Sequence, residues 1–219
     1  MKKVLLALVL MTIGLFVYAQ IQLPEHYPIS GRWSERDGRL FQNDEKARLA
    51  KVNVPVIQNS PAMIYEFDAR YEGGAEDGHG GFGMHLFVDS ALSRESWGAG
   101  HSYLLWLNYD ETPLNKNIQP GLSAQIYRSH SNSWMELVES FDLNSYAEYL
   151  TDESLAEPVH FKIIADANTG ELQIYDPTDD NNTFHVLNMD NKFLPIKGDW
   201  VVLRTNGIKM SFASSGVEE

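Results

Sequence analysis

Past the first twenty residues, apolar and polar positions alternate in short runs broken by Gly, Asn, Asp and Pro. A period of two predicts strands, because successive strand side chains point to opposite faces. The runs place strands near 30–34, 38–43, 46–53, 62–72, 81–88, 101–109, 121–128, 134–141, 159–165, 170–176, 183–188, 199–205 and 207–213. Short strands at regular spacing with turn signals between them predict an all-β sandwich or barrel. One segment, "NSYAEYLTDESLAE", reads as helical, with Asn144 as its candidate N-cap. Two hairpins are expected. In "VHFKIIADANTGELQIYDP", Phe161, Ile163 and Ala165 face inward on one arm and Leu172 and Ile174 on the other, around Asn168-Thr169-Gly170. In "WVVLRTNGIKMSF" the turn is Asn206-Gly207.

The opening "MKKVLLALVLMTIGLFVYAQ" breaks this pattern. Two lysines, an apolar run from Val4 to Val17 and the small residue Ala19 match a secretory signal peptide over residues 1–19. The run is shorter than the roughly 18 apolar residues a membrane-spanning helix needs, and no later run is long enough, so no transmembrane segment is expected in the mature chain. Export to a bacterial periplasm or medium follows, with one domain over residues 20–213 and a frayed tail over 214–219. Lys2 and Lys3 are the only charges in the leader, so its removal takes the net charge from -13 to -15. Such a surface repels phosphate backbones and anionic headgroups, which excludes nucleic acid as a partner. With no cysteine, the domain has to be held by its core, which a chain of this length can do.

The order "GRWSERDGRLFQN", "AMIYEFDARYE", a glycine-rich strand, the "HFKIIADANTGELQIYD" hairpin and a closing strand resembles the concanavalin A-like lectin/glucanase jelly roll. Within that group it is most similar to laminin-G-like domains and to relatives of family 16 glycoside hydrolases. The resemblance implies a two-sheet antiparallel jelly-roll β-sandwich with one short helix. Lectins, hydrolases and structural modules share that fold, so it does not choose a function.

The chemistry has to be read from residues. Family 16 hydrolases carry a Glu-x-Asp-x-Glu strand, to which Glu66 and Asp68 of "YEFDARYE" correspond, but Arg70 or Tyr71 stands where the acid/base Glu belongs. The next acid, Glu72, lies about 20 Å from Glu66 along a strand, whereas a retaining glycosidase holds its carboxyls about 5–5.5 Å apart. Arg70 beside Asp68 suggests an ion pair, and an acid from another strand, with Glu136 or Glu139 as the candidates, could complete a hydrolase site. No Gly-x-Ser-x-Gly elbow is present. The glycines of "EGGAEDGHGGFGMHLFVD" lack the Lys-Ser/Thr of a phosphate loop and suit tight turns or a close approach to backbone, ahead of a strand with Phe82, Met84, Leu86 and Val88 inward. The seven histidines form no close metal pair. A structural Ca2+ would have to use the acidic loops "EDGHGG" or "DPTDDNN"; no other cofactor is expected.

The residues opposite the inward faces are the candidate site. Glu66, Asp68, Arg70, His85, Trp106, Asn108, Gln125 and Tyr127 would combine stacking rings with polar groups if they share one concave sheet, a mixture suited to a glycan. The alternative is that Trp106 and Tyr127 pack under a loop or a second protomer. The expectation is thus a non-catalytic, lectin-like carbohydrate-binding module. A structural protein of the bacterial envelope, with an envelope protein as partner, and a family 16-like hydrolase are the other readings.

Overall fold

Among the described residues, alternation and turn chemistry resolve into fifteen strands and two short helices. The computed structural model describes residues 17–20, 23, 25–147, 151–166, 168–188 and 197–214. Its strands are β1 (Val17–Gln20), β2 (Tyr27–Ser30), β3 (Trp33–Arg36), β4 (Arg39–Gln42), β5 (Ala50–Gln58), β6 (Ala62–Gly74), β7 (His79–Val88), β8 (Ser102–Asp110), β9 (Gly121–Ser129) and β10 (Met135–Asp142). The helices α1 (Asn144–Ala147) and α2 (Asp152–Ala156) follow, then β11 (Val159–Asp166), β12 (Glu171–Asp176), β13 (Asp179–Asn188), β14 (Gly198–Asn206) and β15 (Ile208–Ser214). One sheet runs β13-β12-β11-β6-β15-β4-β3, with β1 added in parallel to β6; the other runs β10-β9-β8-β7-β14-β5-β2. Of the leader expected over residues 1–19, only Val17–Ala19 are described, and they lie in β1. Ser214 closes β15, and the rest of the expected tail lies outside the described residues.

The two sheets are held by the residues that alternation turned inward. Met63, Tyr65, Phe67 and Ala69 of β6 and Met210 and Phe212 of β15 face Val52, Val54, Met84, Leu86, Leu105, Ile126, Val201 and Leu203 of the second sheet. Each of the larger side chains contributes about 1.5–3 kcal/mol by leaving water. The β11–β12 hairpin forms as expected, with Gly170 at φ +71° and Asp166 opposite Glu171.

Three local expectations are corrected. Asn206-Gly207 does turn the chain, with Gly207 at φ +68°, but its arms do not pair: both edges of β14 are taken by β5 and β7, so β15 crosses to the other sheet and pairs with β6 and β4. Asn144 does not cap a long helix. Its Oδ1 accepts from the Leu122 backbone N–H at 2.9 Å and its Nδ2 donates to the Pro120 carbonyl at 2.9 Å, tying α1 to β9. Thr151 caps α2 instead, in a reciprocal box with Ser154. Val88 does not face the core: between Trp200 and Val202, two residues of β7 oppose one of β14. This bulge puts Phe87 at φ +61°. The one-residue shift exchanges faces, so Phe87 enters the main core and Val88 joins Leu92, Ala99 and Val202 on the outer side.

Candidate functional site

The outer face of the seven-stranded sheet collects side chains from five adjacent strands. Register aligns Lys51, Arg204, Gly83, Trp106 and Gln125 in one row across β5, β14, β7, β8 and β9, and Asn53, Val202, His85, Leu104 and Tyr127 in the next. The glycines of β7 explain how the indole of Trp106 fits. A Cβ on Gly81 would lie 2.6 Å from its Cζ2, and one on Gly83 would lie 2.9 Å from its Cε3 and strike the Leu105 carbonyl. The ring therefore lies flat across two bare backbone positions, and its Nε1 donates to Asn108 Oδ1 at 3.0 Å. Beside it, Tyr127 donates to Gln125 Oε1 at 2.7 Å and Gln125 donates to Ser123 Oγ at 2.8 Å.

The loop 89–101 folds over one end of this face. Lys51 Nζ donates to the carbonyls of Trp97 at 3.2 Å and Gly98 at 2.8 Å, and Arg204 Nη1 donates to the Trp97 carbonyl at 3.1 Å. Asn53 exchanges two bonds with the Leu92 backbone, and the N–H groups of Gly98, Ala99 and Gly100 donate to the Asn132 carbonyl, Ser129 Oγ and Asn132 Oδ1. The guanidinium of Arg204 sits 4.6 Å from the Trp97 ring and 5.0 Å from the Trp106 ring, a cation between two indoles. Trp97 is 49 % exposed and Trp106 only 7 %.

Burial sets the electrostatics of this face. It is the main cause that lowers Lys51 to about 7, with the charge of Arg204 adding to it and exposed Glu95 opposing. Arg204 is pushed down to about 10, again by burial, and keeps its charge at neutral pH. His85 falls well below the ordinary histidine value through burial first, then Lys51 and Arg204. Burial also raises Tyr127, with Arg204 opposing.

The eight sequence candidates divide between two surfaces. His85, Trp106, Asn108, Gln125 and Tyr127 share the face just described, whereas Glu66, Asp68 and Arg70 lie on the outer face of the other sheet, with the core between. A single concave surface of all eight does not exist, because β6 and β8 belong to different sheets, which alternation cannot reveal. The expected Arg70–Asp68 pair is also replaced: Arg70 pairs with Glu72 at 2.8 Å, and Asp68 Oδ1 lies 2.9 Å from His160 Nδ1. Arg70 and Glu72 line a shallow cleft of about 400 Å³ beside Leu155 and Ala156 of α2. Glu136 pairs with His130 and Glu139 with His185 of β13. The partner strand β13 stands three positions from β6, about 14 Å away.

Lys51, Trp97 and Arg204 were missed from the sequence. Lys51 and Arg204 carried a signal: each is a lone cation in a strand apolar on its other face, in "AKVNVPV" and "WVVLRT". Trp97 had only its place in a polar loop. Among the described residues no three of His, Asp and Glu gather as a metal site, and none of their helices is long and apolar enough to cross a membrane.

No family model matches the chain, and neither does any curated protein. Solved structures do. A carbohydrate-binding module, CBM66 from Bacillus subtilis, superposes with a TM-score of 0.55 at 12 % identity over 91 % of this chain and 96 % of its own. A Bacillus subtilis protein with a galectin-like fold gives 0.54 at 13 % identity over 90 % and 91 %. A legume lectin-like domain from Entamoeba histolytica gives 0.52 at 8 % identity over 87 % of each. At these identities the likeness is one of architecture: the chain is a two-sheet jelly-roll β-sandwich with the concanavalin A-like, lectin-like fold.

Proposed function

We propose that the chain is an exported, non-catalytic module that binds carbohydrate on the outer face of its seven-stranded sheet. The observation that carries this reading is the Trp97 ring, half exposed and backed by the Arg204 guanidinium on a loop fastened by Lys51. A pyranose offers an apolar face and a rim of hydroxyls, which a fixed aromatic ring and neighbouring polar groups complement. Tyr127, Gln125 and Asn108 supply such groups nearby. A ring already immobilised loses little freedom on binding. The non-catalytic part is supported by the acids themselves, since Asp68, Glu72, Glu136 and Glu139 are each engaged with a basic side chain. Export rests on the leader pattern, and structural Ca2+ on the acidic turns.

A glycan array run with calcium and with chelator tests the binding and its metal together. Trp97→Ala is expected to weaken binding about tenfold, ~1.4 kcal/mol, while Trp97→Phe retains most of it. A silent array, or binding indifferent to Trp97→Ala, removes the reading and moves attention to an envelope-protein partner, to be sought by crosslinking. Loss of binding in chelator alone would assign the metal.

A further inference from the structure

The outer face holds more positive charge than its surroundings neutralise. Lys51 and Arg204 are directly opposite one another on β5 and β14, and His85 is the diagonal neighbour of Arg204 on β7. All three are buried, at 0 %, 3 % and 0 % exposure. Among the described residues their side chains bond to two loop carbonyls and the Ser102 hydroxyl, with no carboxylate among these partners. The acid that acts on Lys51, Glu95, stands exposed on the loop, and Tyr127 acts on Arg204 from β9. Unbalanced buried cations are costly unless something pairs with them.

The same three groups have hydrogen-bonding capacity to spare. An ammonium has three donors, and two of those on Lys51 are directed at the Trp97 and Gly98 carbonyls. Arg204 Nε and His85 Nε2 are buried without any partner. When the Ser102 hydroxyl donates to His85 Nδ1, which lies 3.0 Å away, Nε2 carries the proton and becomes the third such donor. Three donors from three neighbouring strands, two of them cationic, occupy adjacent positions on one face, and among the described residues no carboxylate is hydrogen-bonded to them.

We propose that Lys51, Arg204 and His85 form a cradle for a small oxyanion group, a carboxylate or sulfate. If the glycan reading above holds, the ligand is an acidic sugar whose ring meets Trp97 while its anionic group enters beneath the loop. Charge-assisted bonds to a buried guanidinium and ammonium are short and strong. The chain's overall negative charge opposes long acidic polymers at a distance, which favours glycans with isolated acidic residues.

Titration calorimetry on the full chain at pH 6, with glucuronate and glucose as probes and acetate and sulfate as free anions, tests the cradle. Glucuronate is expected to bind at least tenfold more tightly than glucose, with a change in Trp fluorescence. At pH 7.5, runs in two buffers of different ionisation enthalpy should show proton uptake on binding, because an anion restores the charge of Lys51. Lys51→Met should abolish the uptake and reduce the preference, and the wild-type proton measurement stands even if that variant folds poorly. Acetate or sulfate bound as tightly as glucuronate, with uptake, upholds the cradle and assigns it to a free anion. Equal affinity for glucuronate and glucose, or no proton uptake, overturns the cradle and leaves binding of neutral glycans untouched. A silent glycan array with acetate or sulfate still bound and proton uptake retained would instead overturn only the glycan reading.

Discussion

Raising the pH from 5 to 10 is expected to stabilise the fold almost continuously, in two steps set by His85 and Lys51. His85 is held neutral in the fold, well below the ordinary value of 6.5, by burial and then by Lys51 and Arg204. As the pH falls past 6.5 the unfolded chain takes a proton that the fold refuses, so stability present above that pH is lost below it. Lys51 titrates at about 7 in the fold against 10.5 in the unfolded chain. Between those values the unfolded state holds the extra proton, and stability rises with pH at up to ~1.4 kcal/mol per unit. The gain ends near pH 10, where the unfolded chain begins to ionise Tyr65 and Tyr103, both raised by burial in the fold. Urea midpoints between pH 5 and 10.5 check this. His85→Asn should flatten the lower step and Lys51→Met the upper one. A single maximum near pH 6 with decline by pH 9 would show that Lys51 is not buried as a cation. A ligand anion in the cradle would hold the proton on Lys51 and flatten the upper step too, so the pH profile and the calorimetry test one charge by independent routes.

Local signals in the sequence carried the architecture further than they carried the site. The β11–β12 hairpin was legible because alternation, turn chemistry and pairing all concern residues adjacent in the chain. The Asn206-Gly207 turn was legible as a turn and misleading as a hairpin, since whether β15 can pair with β14 depends on β5 and β7 having already filled its edges. Trp106, Asn108, Gln125 and Tyr127 came out on the outward face of β8 and β9 as read, but the alternation of β7 slipped at Phe87, where a long-range contact imposes a conformation no local pattern encodes. For the site, alternation separated inward from outward on each strand and could not say which outward faces lie on the same sheet. That is why Glu66, Asp68 and Arg70 were grouped with Trp106. Lys51 and Arg204 escaped for the opposite reason: a cation on a strand suggests solvent, and only the loop 89–101 reveals that these two are buried.

Replacing Gln58 by methionine is expected to destabilise the fold by roughly 3–9 kcal/mol, although the shape of the side chain is nearly kept. Gln58 is fully buried and serves three groups. Its Oε1 accepts from the Tyr65 hydroxyl at 2.7 Å and from the Phe87 backbone N–H at 2.8 Å, and its Nε2 donates to the Trp200 carbonyl at 2.8 Å. At the bulge the Phe87 N–H donates to Gln58, and its left-handed φ costs a bulky residue about 1–3 kcal/mol, so the side chain helps hold the bulge by acting as a substitute strand partner. Methionine offers no such partner and strands each group at about 1–3 kcal/mol apiece. Alanine should cost a similar amount, whereas Tyr65→Phe removes a donor together with its need and should cost about 1 kcal/mol. Chemical unfolding of the three variants separates hydrogen bonding from packing: Met within 1 kcal/mol of the parent, with Ala far below, would mean that volume alone matters at this position. Loss at Met should also loosen the loop 89–101, which begins directly after β7, so the affinity contributed by Trp97 should fall with it.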